Sequence, residues 1–323
     1  MTLARYRAFT WALLGSYLSA AAFSQAQAQA YPSKPLRFIV GPSPDLLARI
    51  VGQKLTEAWG QQVVVDVRPG AGGSIAAVTT AKAAPDGYTL LLSTGAFIIN
   101  ATLYRDLQYN FEKDFAPVSL LALIPLMLVV HPALPAKSVA ELVQLARSKP
   151  GQLNCASSGN GTTTHLACAM LNTMGCVNIV HVPYKGVGPS LTDLIGGQVQ
   201  MLFAVTQATL PHVQTGKLRA LAVTGRKRSN AVPEVPTVAE SGIADFVIES
   251  WNGVHVTAGT PKAIVAKLNT EINRIVGLPD VRERMLGLGL EPMTISPDEF
   301  AAFVRTDITK WAKVVKDTGV RGE

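Results

Sequence analysis

The sequence predicts an α/β chain of two sheet-based lobes behind a short leader. Three observations carry this. From Tyr31 onward, apolar runs of strand length alternate with amphipathic stretches of helix length. The alternation breaks at the apolar stretch Phe115 to Val130 and restarts after Pro132. The first thirty residues differ in composition from all that follow. The chain has 323 residues, enough for two domains of ordinary size. Its 48% hydrophobic and 16% charged residues exclude a disordered chain.

Arg5 and Arg7 precede a mostly apolar run, Phe9 to Ala22, and an Ala/Gln stretch ending Ala28-Gln29-Ala30. A charged start, a short apolar core and an A-x-A end read as a secretory signal peptide over residues 1–30. The apolar run is short of the roughly 20 residues that a membrane span needs. No cysteine lies near the cut, so a lipid anchor is not expected. Loss of Arg5 and Arg7 takes the formal charge from +7 to +5, since residues 1–30 hold no acid. A mildly basic exported protein weakly favours anionic solutes. No basic stretch interleaved with aromatics supports nucleic-acid binding.

Leu36 to Val40 reads as the first strand. A helix follows from about Asp45 with Leu47, Ile50, Val51 and Leu55 on one face, ended by Gly60. Gln62 to Val67 is the next strand, a helix runs to about Ala84, and Tyr88 to Ser93 is a third strand. This βαβαβ order implies parallel strands with helices on both faces. Phe115 to Val130 imitates a membrane span, but Pro117 and Pro125 interrupt it, which predicts two buried strands meeting near Pro125. Beyond Pro132, Ser138 with Glu141 forms a capping box. Strands at Leu153–Ser157, Asn178–Val182, Val199–Val205 and Leu218–Val223 then alternate with helices at Thr162–Met174, Pro189–Ile195 and Thr209–Gln214. Residues 226 to 242 connect, Phe246 to Val256 is extended, Pro261 opens a long helix, and Ser296 with Glu299 caps the last one. Two sheet units with two extended crossings predict one discontinuous lobe, 31–127 plus 250–323, and a second, 128–249, hinged about a cleft.

Ligands in open α/β sheets sit beyond the carboxyl ends of the strands. Gly72-Gly73-Ser74 before a helix is either an anion site or a tight turn. The richer loop is Ser157-Ser158-Gly159-Asn160-Gly161-Thr162-Thr163-Thr164, which joins glycines, hydroxyl donors and a helix start into an anion cradle or a hydroxyl-rich cap. His165 either donates to a carboxylate or serves the backbone. The histidines at 131, 181, 212 and 255 show no metal-ligand spacing, no G-x-S-x-G occurs, and no acid pair marks a catalytic loop. No cofactor and no enzymatic activity are expected. Cys168 and Cys176, around a helix end, are the pair the spacing leaves open, with Cys155 a small buried residue.

Tyr31-Pro-Ser-Lys-Pro, Arg68-Pro-Gly-Ala-Gly-Gly, Ala84-Pro-Asp-Gly-Tyr-Thr-Leu-Leu, Asp114-Phe-Ala-Pro-Val, Val180-His-Val-Pro-Tyr-Lys-Gly, Gly216-Lys-Leu-Arg-Ala-Leu-Ala-Val-Thr and Val235-Pro-Thr-Val-Ala-Glu follow one another in this order. Together they resemble the Bordetella-uptake-gene type receptors, the substrate-binding components of tripartite tricarboxylate transporters. The resemblance implies a type II periplasmic-binding-protein fold and a monomer in the periplasm. It also implies a small organic acid ligand held between the lobes, and membrane permease subunits as partners. A periplasmic sensor presenting the acid to a signalling receptor is the alternative. By position, the resemblance puts Ser43, Pro44, Thr94 and Gly95 on the first lobe's side of the ligand. Ser158, Gly159, Asn160, Gly161, Thr162, Thr163 and His165 lie on the second, flanked by Tyr184, Ala204 and Thr206. Two features depart from the family. The first loop, Gly41-Pro-Ser-Pro-Asp45, is short and proline-rich, and Phe203-Ala204-Val205 lacks the acid that relatives carry there. The second departure implies a ligand without an ammonium group.

Overall fold

The computed structural model describes residues 31–41, 45–68, 70, 73–104 and 106–320. The expected signal peptide, the expected site residues Ser43 and Pro44, and Gly72 lie outside them. Residues 31–34 carry a cis peptide between Tyr31 and Pro32, and the body of the chain starts at Pro35.

Strand β1 (Leu36–Val40) lies between β2 (Val63–Val67) and β3 (Thr89–Thr94), all parallel. Helix α1 (Leu46–Trp59) crosses from β1 to β2 and buries Leu47, Ile50, Val51 and Leu55, the stripe that its periodicity predicts. Gly60, at φ +66°, ends it in the left-handed conformation that a β-carbon disfavours. Helix α2 (Ser74–Ala81) crosses to β3. A third helix, α3 (Gly95–Leu103), begins where β3 stops. Gly95 to Asn100 are all buried, so no polar face marks this helix and its residues read as more strand.

After the short α4 (Phe111–Asp114), β4 (Phe115–Val130) is one strand of 16 residues, not the two expected. Its first part pairs antiparallel with β9 (Glu249–Thr257) as far as Pro125. From Leu126 it pairs with β7 (Met201–Val205). Pro125 stands where the partner changes, so its missing N–H breaks no continuing ladder. Pro117 sits at a register shift against β9, where a ladder bond is already lost.

The second half of the sheet sets β5 (Asn154–Ser157) between β6 (Val180–Pro183) and β7, all parallel, with β8 (Arg219–Val223) antiparallel to β4. Its helices are α5 (Val139–Ser148), α6 (Thr163–Gly175), α7 (Val187–Ile195) and α8 (Thr206–Gln214). The whole sheet runs β2-β1-β3-β9-β4-β7-β5-β6, and β4 is the member common to both halves. Alternate residues of β4 enter different cores. Leu128 and Val130 join Phe203 and Leu166, whereas Met127 and Val129 join Leu191, Leu194 and Leu202.

Helices α9 (Lys262–Gly277) and α10 (Pro279–Gly287) and the two-residue β10 (Glu291–Pro292) lead to α11 (Pro297–Thr318). The Ser296/Glu299 capping box is complete. At Ser138 it is half formed: Ser138 accepts from the Glu141 N–H, but the Glu141 carboxylate accepts from the Lys137 N–H instead. Helix α11 packs on α3, α6 and β4 and buries Phe300, Val304 and Trp311. Among the described residues no helix is long and apolar enough to cross a membrane.

Fully buried Thr224, just past β8, holds the crossing between the two halves. Its Oγ1 accepts from the Leu126 N–H at 2.9 Å and donates to the Ile248 carbonyl. Its N–H donates to the Leu126 carbonyl at 2.9 Å, and its carbonyl accepts from the Ile248 N–H at 3.0 Å. Thr224→Val keeps the volume but orphans the Leu126 N–H, so it should cost about 1–3 kcal/mol in urea unfolding. An unchanged midpoint would show that the crossing does not depend on this hydroxyl.

Candidate functional site

Both rows of strand carboxyl ends meet at the middle of β4. Thr94 pairs with Asn252 of β9, Asn252 pairs with Ala122 of β4, and Val205 at the end of β7 pairs with Leu126. Three residues of β4 therefore separate the ends of strands from the two halves, where open sheets place ligands.

A helix starts at each end. Thr94 caps α3, its Oγ1 accepting from the Ala96 N–H at 3.3 Å. Thr162 caps α6, its Oγ1 accepting from the His165 N–H at 3.3 Å. The two helix starts are adjacent. A β-carbon on Gly95 would lie 3.9 Å from Thr163 Oγ1 and 3.4 Å from Trp251 Nε1. One on Gly161, at φ +71°, would lie 2.8 Å from Leu103 Cδ1 and 3.1 Å from Asn100 Oδ1. The 158–162 loop of the second half thus packs on α3 of the first.

Much of that loop's donor capacity is spent on itself. The Ser158 N–H goes to Thr164 Oγ1 at 2.9 Å, the Gly159 N–H to Ser157 Oγ at 3.1 Å and the Gly161 N–H to His165 Nδ1 at 3.2 Å. Thr162 Oγ1 donates to the Gly159 carbonyl at 2.7 Å. The N–H groups of Thr163 and Thr164 and the Thr163 hydroxyl make no hydrogen bond with described residues. They lie in the first turn of α6, at the positive end of its dipole. Donors without protein partners at a helix start suit an anionic oxygen.

The family model described as the tripartite tricarboxylate transporter family receptor matches residues 47–320. The chain belongs to this receptor family. Protein BugT of Bordetella pertussis is 36% identical over 319 residues, covering 96% of this chain and 97% of BugT. Among solved structures, R. palustris Rpa4515 with adipate is 36% identical at a TM-score of 0.87, covering 90% of this chain and 99% of that one. MatC from Rhodopseudomonas palustris with bound malate is 32% identical at a TM-score of 0.81, covering 88% and 100%. The curled α/β sheet is the fold of these periplasmic binding proteins.

In this member of the receptor family, the remaining expected site residues divide. Gly159 lies against Tyr184, whose carbonyl would be 3.1 Å from a β-carbon at Gly159. The Tyr184 hydroxyl donates to Asp193 at 2.7 Å. Burial, then that carboxylate, push the phenol up to about 12. Asn160 is half-buried in the loop. Thr206 is fully buried and donates to the Pro125 carbonyl at 3.0 Å, so its hydroxyl serves the crossing. Ala204 lies in the second core with Met127. Trp251 and Asn100, which reach Gly95 and Gly161, went unsingled in the sequence. Asn100 lies within an apolar run and Trp251 among polar neighbours, and only proximity across the fold marks them.

His165 stacks on His181, ring centres 3.8 Å apart and nearly parallel. His165 Nδ1 accepts a backbone N–H, which leaves the other ring nitrogen to carry the proton of the neutral ring. Burial lowers the pKa of His165; burial, then the neighbouring His165, lower that of His181 to about 4. The unfolded chain therefore takes up a proton at His181 near pH 6.5, and the folded chain only near 4. The contribution is intact above about pH 6.5 and is lost as pH falls from there to about 4. His181→Gln should flatten the wild-type fall in unfolding midpoint across that window. Parallel curves for the two proteins would refute the assignment.

The disulfide joins Cys155 of β5 to Cys168 of α6, with Cα atoms 6.2 Å apart, and Cys176 is free and exposed. The open pairing of Cys168 with Cys176 is thereby corrected. Helix α6 continues to Gly175, so eight residues at about 1.5 Å each hold those two roughly 12 Å apart, beyond disulfide reach. The bridge ties the helix that starts at Thr163 to its own strand. Removing it with Cys155→Ala and Cys168→Ala should cost roughly 3 kcal/mol. Thiol titration of the native oxidised protein should find Cys176 alone; two or three reactive thiols would contradict the pairing.

Proposed function

We propose that the chain is an extracytoplasmic solute-binding receptor that captures a small carboxylate in the periplasm and delivers it to the permease subunits of a tripartite tricarboxylate transporter. The observation that carries this is the meeting of two helix starts, at Gly95 and Thr163, one from each half of the sheet, where the Thr163 and Thr164 N–H groups have no hydrogen-bond partner among the described residues. The adipate of Rpa4515 and the malate of MatC support a carboxylate as the ligand. In this reading residues 31–127 with 250–323 form one lobe, 128–249 the other, and the crossing at Pro125 and Ile248 is the hinge. The receptor acts as a monomer after removal of residues 1–30, and its closed form is what the membrane partner recognises.

Capture rather than turnover fits the site. Ser157 Oγ lies 2.6 Å from His181 Nε2, a spacing that a nucleophile–base pair would show. Ser157 is fully buried, however, and also takes up the Gly159 N–H, while His181 is stacked on a second imidazole and has no acid beside it. The pair holds the loop.

Residues 31–323 should gain about 2.7 kcal/mol of stability at a ligand concentration 100 times the dissociation constant. Thermal unfolding against mono-, di- and tricarboxylates should show a clear shift with one acid class, and Thr163→Val should weaken that acid about tenfold. No shift with any of them would overturn the carboxylate reading. Ala204 lies in the core where relatives carry an acid, so the cleft has no evident partner there for an amine. Succinate should accordingly bind the cleft more tightly than L-aspartate, and the reverse order would sink that inference.

A further inference from the structure

A cavity of about 640 Å3 opens where β4 changes partners. Thr94, Gly95, Thr163 and His165 do not line it, so it is separate from the candidate carboxylate site. Its walls come from β4, the start of β9, the segment after β8 and α11. Three chemistries divide the lining.

The floor is acidic. Asp307 of α11 is only 6% exposed. Its Oδ2 accepts both the Trp251 and Trp311 indole N–H groups, at 2.7 and 2.9 Å, while its Oδ1 makes no hydrogen bond with described residues. Glu249 and Glu291 join it. Burial raises both Asp307 and Glu249, and the nearby Lys310 ammonium only partly offsets this. Glu249 also takes the Arg226 N–H and feels its guanidinium, and Glu291 accepts from Asn230 at 3.5 Å, so Asp307 Oδ1 is the floor oxygen without a partner among the described residues. The rim is basic. Arg226 and Lys227 are exposed and have no carboxylate within ion-pair distance among the described residues. Arg228 beside them is already tied to Glu240 at 2.9 Å. The third wall is apolar: Leu123, Pro125, Val247 and Phe303.

We propose that this cavity binds a small zwitterion with an apolar side chain, an α-amino acid of the leucine or phenylalanine kind. Its ammonium meets Asp307 Oδ1 and Glu249, its carboxylate meets Arg226 and Lys227, and its side chain covers the apolar wall. A plain acid would set its charge against the floor or leave the floor unpaired, and a plain amine would leave the rim unused. The volume falls in the range of small-molecule sites. The cavity offers carboxylates to an ammonium where the cleft has Ala204, so the two sites divide acids from amino acids.

Calorimetric titration of residues 31–323 with L-leucine, with and without adipate, tests this. L-leucine should bind once per chain whether or not adipate is present. 4-Methylpentanoate and isoamylamine, each lacking one charged group, should bind at least tenfold more weakly. Glu249→Gln and the double variant Arg226→Gln/Lys227→Gln should each cost about tenfold in L-leucine affinity. Asp307→Asn keeps an oxygen for the two indoles but presents an N–H2 to the ligand ammonium, and should abolish binding. Circular dichroism checks that each variant folds, and Glu249→Gln carries the test should Asp307→Asn not fold. Absence of binding by both L-leucine and L-phenylalanine would overturn the proposal. So would competition by adipate, or 4-methylpentanoate binding as tightly as L-leucine.

Discussion

Everything in this molecule hangs on one strand serving two sheets. β4 gives its first eleven residues to β9 and its last five to β7, and the exchange falls at Pro125 and Leu126. A proline costs little at this point of a strand interior, because the missing donor falls where no ladder continues. Thr224 completes the exchange by bonding to Leu126 and Ile248 at once, and Thr206 bonds the Pro125 carbonyl. Side-chain hydroxyls thus replace ladder bonds where the backbone has none to offer. From that exchange follows the position of the candidate site, since the carboxyl ends of both sets of parallel strands are led to positions 122 and 126 of β4.

The second constraint is how the 158–164 loop spends its donors. A loop with so many hydroxyls and glycines would be mobile if each group were left to water. Here Thr162 and Thr164 take up the N–H groups that face inward, and the stacked pair of imidazoles takes up one more. The Cys155–Cys168 bridge ties helix to strand behind them. Among the described residues, the donors that remain include those in the first turn of α6 and those of Asn160. Rigidity of this kind lowers the ordering cost of binding, so more of the interaction with an anion appears as affinity.

The parts of the fold that were legible in the sequence are those with a period. The buried stripe of α1, the Ser296 capping box and the parallel βα series all follow from spacing. What was illegible lacks contrast. Helix α3 is apolar on every side, so neither period shows, yet it supplies one of the two helix starts at the site. β4 carries two prolines and reads as broken, because the exchange of partners that tolerates Pro125 is a property of three distant segments. The 158–165 loop stood out through composition. That the His165 ring accepts a backbone N–H and stacks on His181 depends on a parallel neighbour that no local signal announces.

The same limit explains why two glycines matter more than their number in the chain suggests. Gly95 starts α3 against Trp251 and Thr163, and Gly161 sits on Leu103 and Asn100. Any side chain at Gly161 would meet Leu103 at 2.8 Å, closer than carbon atoms pack, and would also have to accept φ of +71°. At Gly161 the close approach depends on the missing β-carbon and the left-handed backbone, whereas a β-carbon at Gly95 would make ordinary contacts of 3.4 to 3.9 Å. A larger residue at Gly161 would leave each helix start intact in its own half and push the loop off α3. Their donors would then no longer reach one small anion, although every local element would remain. In the proposed site the reach of both helix starts to one anion therefore depends on the space left at Gly161 as well as on the donors.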